Sequence, residues 1–119
     1  MNKKILVVDD DQGIADVMQI MLDSAGYEVN ILTSGKGIQK KVLEYLPDVI
    51  LLDIWMSGVD GKQVTRLLKT TERTKHIPII VISALNDTEE IAKTAGADDF
   101  LAKPFEMSHL LLKIKKHLK

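Results

Sequence analysis

Four short apolar runs in this chain each end on residues that can do chemistry. Ile5–Val8 leads into Asp9, Asp10 and Asp11, and Val49–Leu52 leads into Asp53. Ile79–Ile82 ends at Ser83, and Phe100–Ala102 ends at Lys103, which Pro104 follows. Carboxylates a few ångströms apart repel one another, and leaving them uncompensated in a partly buried site is costly. A divalent cation removes that cost. Clustered aspartates without cysteine or histidine beside them suit a hard ion, Mg²⁺ or Mn²⁺, better than Zn²⁺. Asp9, Asp10 and Asp53 carry a formal charge of −3, and Mg²⁺ with Lys103 brings +3. A carboxylate neutralised in this way is placed to take up a phosphoryl group. Asp53 is the natural nucleophile, Lys103 and the metal would bind phosphoryl oxygens, and Ser83 could donate a hydrogen bond to one of them. Such a transfer asks for positioning and charge neutralisation and little else.

The elements that must bring these residues together alternate along the chain. The apolar run at 4–8 reads as a strand buried on both faces. Ile14, Val17, Met18, Met21, Leu22 and Ala25 then recur at helical spacing, and Gly26 stops the helix. A second strand is expected over 27–33. A second helix carries Ile38, Val42, Leu43 and Leu46 and ends before Pro47. Residues 49–54 form a third strand, Val64, Leu67 and Leu68 mark a third helix, and 79–83 is a fourth strand. Asp87 starts the next helix, with Glu90 completing a capping box and Gly96 closing it. Residues 98–103 form a fifth strand. The last helix presents Leu110, Leu111, Ile114 and Leu118 on one face and lysines on the other. Strict alternation with apolar strands predicts an α/β fold, a doubly wound (βα)5 three-layer sandwich around a five-stranded parallel sheet with right-handed crossovers. In such folds the working site lies at the carboxyl ends of the strands, where all four runs end.

Composition narrows the function further. The chain has 119 residues, enough for one domain over 1–119, with 45% hydrophobic and 28% charged residues. With 16 Lys+Arg against 17 Asp+Glu, nothing electrostatic favours direct nucleic-acid binding. Cysteine is absent, which excludes disulfides and thiolate chemistry. The apolar runs are far too short for a membrane span or a signal peptide, and a cytoplasmic protein is the plain reading.

The stretches ILVVDDD, VILLDIWMSGVDG, IIVISA and FLAKPF, in this order and spacing, resemble the receiver domain of two-component response regulators, a flavodoxin-like fold, over the whole chain. The resemblance implies the chemotaxis-receiver strand order 2-1-3-4-5. It implies that Asp9 and Asp10 seat Mg²⁺, that Asp53 is the phosphoacceptor, and that Trp55 offers its backbone carbonyl to the metal. Ser83 matches the switch hydroxyl, Phe100 the switch aromatic and Lys103 the lysine of the motif, with a cis bond to Pro104. Two residues depart from the family pattern. Ser57 stands where proline is common, which should loosen the loop after the phosphoacceptor. Phe100 replaces the commoner tyrosine and has no hydroxyl to hydrogen-bond in either state.

What this resemblance implies is a phosphorylation-controlled signalling switch. A histidine kinase or a histidine phosphotransfer protein would present phosphohistidine, and the domain would catalyse only its own phosphorylation and slow dephosphorylation. The face made by the fourth helix, fifth strand and fifth helix would then change partners, engage a downstream target or output domain, or form a homodimer. The side chains flanking the path of the hydrolytic water would be Trp55 and Leu85, both bulky and apolar, so the phosphorylated form should be long-lived. The rival reading is an Asp-nucleophile phosphatase of the haloacid dehalogenase type. That chemistry needs a second aspartate two residues after the nucleophile, where this chain has Trp55. A flavin module is disfavoured because the acids after the first strand would repel a cofactor phosphate.

Several features need no such role. Asp11 is placed to cap the first helix. The stretch 34–37 lacks P-loop spacing and reads as a helix entry. Residues 69–76 read as a polar loop, and Trp55 as packing beside the site. His76, His109 and His117 show no metal spacing and read as surface residues.

Overall fold

A computed structural model describes residues 2–56, 58–84 and 88–118. The chain runs β1 (Lys4–Val8), α1 (Gln12–Ser24), β2 (Glu28–Leu32), α2 (Ile38–Tyr45), β3 (Val49–Asp53), β4 (Trp55–Met56), β5 (Val59–Asp60), α3 (Gly61–Thr70), β6 (Ile79–Ser83), α4 (Thr88–Ala95), β7 (Asp99–Ala102) and α5 (Met107–His117). Five strands form one sheet in the order β2-β1-β3-β6-β7, and every neighbouring pair is parallel. With the strands counted as the sequence gives them, this is the order 2-1-3-4-5, with five helices around it.

The strands are apolar on both faces because both faces are covered. Leu6, Val8, Ile50, Leu52, Ile79 and Val81 pack with Ile38, Val42, Leu68 and Ile91 of α2, α3 and α4. The alternate residues Ile5, Val7, Val49, Leu51, Ile80 and Ile82 pack with Met18, Leu22, Leu110 and Ile114 of α1 and α5. One-residue alternation along each strand thus fills two separate cores. Asp11 caps α1 by accepting the Ile14 N–H at 3.1 Å, as expected. Asp60 does the same for α3, accepting from Lys62 at 3.0 Å and Gln63 at 3.3 Å.

The structure departs from the expected pattern in four places. A two-stranded antiparallel hairpin, β4 with β5, follows the third strand, and its turn passes through Gly58 at φ +75°. Leu46 is not on the buried face of α2; it sits past the helix end, exposed, at φ +51°. Val17 and Met21 are exposed, together with Ile20, because the apolar arc of α1 is wider than the strip the sheet covers. Within 69–76, α3 continues to Thr70, and Thr74 is buried with its hydroxyl donating to the Leu68 carbonyl at 2.7 Å. Ser57, Leu85 and Asp87 lie outside the described residues, and with them the expected cap of α4 by Asp87 and Glu90.

Two glycines mark close packing near the third strand. A Cβ on Gly61 would fall 2.6 Å from the Ile54 carbonyl oxygen, and one on Gly35 would collide with the Val59 side chain. The start of α3 and the loop before α2 are therefore both pressed onto the segment that follows Asp53.

Candidate functional site

The strand ends converge as the parallel topology requires. β1 lies beside β3, and on either side of that pair the chain winds in opposite directions, which opens a crevice at the carboxyl rim. Asp9, Asp10 and Asp53 each bring a carboxylate oxygen there, all within 4.8 Å of one another. Asp9 and Asp53 are buried and Asp10 is exposed.

The two buried acids are held in the same way. Asp9 Oδ1 accepts the N–H of Asp11 at 2.9 Å, and Asp53 Oδ1 accepts the N–H of Trp55 at 3.1 Å. Each backbone amide comes from two residues ahead, the local turn that aspartate side chains favour. The second oxygens face one ammonium. Lys103 Nζ donates to Asp9 Oδ2 at 3.2 Å and to Asp53 Oδ2 at 3.3 Å. Lys103 is delivered from the end of β7, where its own N–H donates to the Ser83 carbonyl at 2.8 Å and its bond to Pro104 is cis.

The electrostatics follow from burial and from the charges that face one another at the rim. Burial pushes the Asp53 carboxyl above its ordinary value; Lys103 and the Trp55 amide pull it back, while Asp9 adds to the rise. Burial alone would push Lys103 down, but the Asp53 and Asp9 carboxylates outweigh it and hold the ammonium above its ordinary value. Three hard carboxylate donors against one lysine fit a divalent cation with oxygen ligands, and the donor set offers nothing to a soft metal.

Ser83 is fully buried at the end of β6, and its Oγ accepts the indole N–H of Trp55 at 3.0 Å. Trp55, whose side chain was expected to pack beside the site and flank the path of water, is half exposed on β4, with Lys62 Nζ 5.8 Å from its ring centre. The one-dimensional pattern held no signal for this bond, because two-residue strands carry no period and the partners are 28 residues apart. Phe100 is half-buried on β7, one position after the strand begins and two before it ends, with Lys113 Nζ 5.0 Å from its ring centre. His117 is not a free surface histidine. Its Nε2 lies 2.9 Å from Asp99 Oδ2, far from the acidic cluster at the other end of β7.

The comparisons agree with this geometry. Residues 5–115 match the family model of the response regulator receiver domain. The chain is 36% identical over 118 residues to the DNA-binding dual master transcriptional regulator RpaA of Synechocystis, covering 98% of this chain and 49% of that protein. It is 32% identical over 121 residues to the DNA-binding response regulator MtrA of Mycobacterium tuberculosis, covering 100% of this chain and 52% of that one. The chain thus spans about half the length of these curated relatives. Among solved structures, the signal receiver domain of a response regulator from Bermanella marisrubri superposes with a TM-score of 0.88 at 35% identity, with 98% of each chain covered. The chemotaxis protein CheY4 of Vibrio cholerae superposes with a TM-score of 0.89 at 28% identity, covering 99% of this chain and all of that one. A parallel sheet that gathers three carboxylates and one lysine at its rim, matched over nearly its whole length by these proteins, places this chain in the response regulator receiver domain family.

Proposed function

We propose that Asp53 is the phosphoacceptor of this domain and takes a phosphoryl group from a phosphohistidine on a histidine kinase or a histidine phosphotransfer protein. The observation that carries this reading is Lys103, whose single ammonium spans Asp9 and Asp53 at 3.2 and 3.3 Å while a third carboxylate stands close by. An Asp53 carboxylate oxygen attacks phosphorus as the phosphorus–nitrogen bond of the donor breaks, and the electron pair leaves with the imidazole. Lys103 turns from Asp53 Oδ2 to a phosphoryl oxygen, and the Ser83 hydroxyl donates to another. Asp9, Asp10, Asp53 and the Trp55 backbone carbonyl would hold Mg²⁺, which when bound supplies the positive charge that lets carboxylates and phosphoryl oxygens share the rim.

The phosphoryl group draws Ser83 toward it, Phe100 follows inward, and the face of α4, β7 and α5 shifts its population between two arrangements. That face then engages a downstream protein target or output domain, or a second copy. The exposed apolar residues Val17, Ile20 and Met21 of α1 offer a surface to a partner protein. We place this switch in the cytoplasm, as a regulatory domain over 1–119; among the described residues no helix is long and apolar enough to cross a membrane.

Acetyl phosphate with Mg²⁺, read by intact mass, tests the reading. One phosphoryl group should be added per chain, none without the metal, and none in Asp53→Asn. Steady release of phosphate from a phosphomonoester would point instead to a phosphatase, for which the side chain at Trp55 offers no general acid.

A further inference from the structure

Trp55 is tied into the rim at several points. Its backbone N–H holds Asp53 Oδ1 at 3.1 Å, and its strand pairs with β5 opposite Asp60. Its indole N–H reaches across to Ser83 Oγ at 3.0 Å, and the Lys62 ammonium lies 5.8 Å from the ring centre. An indole N–H is a donor only, and a serine hydroxyl can accept while it donates its own proton. A hydroxyl oxygen that already accepts a hydrogen bond is polarised and becomes a better donor.

We propose that Trp55 is a positioning residue for the Ser83 hydroxyl: its indole N–H clamps Ser83 Oγ, so that the segment carrying Asp53 and the end of β6 respond as one unit. The inference rests on the reading of Asp53 and Ser83 given above and deepens it. The clamp acts before any phosphoryl group arrives. It turns the Ser83 oxygen toward the hairpin at the rim. It also separates two properties of one side chain. The ring supplies apolar bulk at the rim, whereas the N–H sets the hydroxyl. Phenylalanine at position 55 keeps most of the first and removes all of the second.

The chain has one tryptophan, so the indole N–H gives a single assignable signal in a nitrogen-edited NMR spectrum. In the unphosphorylated protein that signal should move upfield and exchange faster with solvent in Ser83→Ala, and should stay near its place in Ser83→Thr. No phosphorylation is needed for this reading, so it stands or falls separately from the role of Asp53. Kinetics then test the coupling. Trp55→Phe should slow labelling by acetyl phosphate about 2- to 10-fold, the span expected for one neutral hydrogen bond. In a Ser83→Ala background the same change should have an effect of less than about twofold. An indole signal indifferent to Ser83→Ala would overturn the proposal, and so would effects of the two changes that simply multiply.

Discussion

Aspartates stand at both ends of this sheet, in opposite circumstances. At the amino end each is matched to donors. Asp48, just before β3, accepts the Lys4 N–H of neighbouring β1 at 2.7 Å. Asp98, just before β7, accepts the Ile79 N–H of neighbouring β6 at 2.8 Å and the Lys69 ammonium at 2.7 Å. Asp99 receives Lys113 at 2.8 Å and the Phe100 N–H at 2.8 Å on one oxygen, and His117 at 2.9 Å on the other. These carboxylates join one strand to the next and anchor α5. At the carboxyl end, three carboxylates gather around one lysine. The amino end shows what aspartates do when their task is to hold a fold together. At the carboxyl end like charges stand close together in a partly buried site, which is costly for the fold.

Breaking the carboxyl end should abolish function and spare the fold. Asp53→Asn should lose all phosphoryl uptake, measured by intact mass, and should be at least as stable as the wild type in urea. The sign follows from the raised pKa of Asp53: the folded state disfavours its charge, so ionised Asp53 weakens the fold at neutral pH. That penalty fades as the pH falls through the folded value, so the stability gap between Asp53→Asn and the wild type should narrow in acid. Next in size is the metal. Mg²⁺ at a hundred times its Kd should raise wild-type stability by about 2.7 kcal/mol. Most of that gain should vanish in Asp9→Asn and persist in Asp48→Asn, read as melting temperature with and without the ion.

Breaking the amino end should do the reverse. Asp99→Ala should lower stability by about 1–3 kcal/mol while labelling of Asp53 continues. Burial alone would raise the Asp99 carboxyl, but hydrogen bonds from Lys113, His117 and the Phe100 amide hold it down at about 2, against an ordinary value of 3.8. Its stabilising effect is therefore complete above the ordinary value and is lost as the pH falls through the folded one. Urea denaturation of wild type and Asp99→Ala should converge over that window. A smaller effect sharpens the carboxyl end. Trp55→Asn, which puts a group able to orient water where an apolar ring stood, should speed loss of the phosphoryl group about 3- to 10-fold, timed by phosphate release. Smallest of all, removing the exposed Lys93–Glu89 pair of α4, at 3.4 Å, should change stability by less than about 0.5 kcal/mol.

Much of the carboxyl end could be read from the chain because a buried parallel strand is a strong signal and its end has a fixed address. The strands at 4–8 and 79–83 fall where their apolar runs fall, and Asp9, Asp53 and Lys103 meet because parallel strands bring their ends to one rim. The amino end was less legible. Nothing local to Asp99 announces His117, eighteen residues on, and α5 must first fold back across the sheet to bring them together. The hairpin of β4 and β5 was missed because two-residue strands have no periodicity to detect. Val17 and Met21 share the helical spacing of the buried Met18 and Leu22 yet are exposed, because such spacing reports that a face is apolar and says nothing of how much of it a sheet can cover.

The glycines at 35 and 61 carry a consequence for how this chain can vary. Neither has a side chain to offer a ligand, yet any larger residue would press on the segment between Asp53 and α3 through Val59 or through the Ile54 backbone. In a scan of every substitution scored by phosphate uptake, both positions should be as intolerant as residues that touch the reacting atoms. Room, as much as charge, is a resource that this corner of the molecule has already used up.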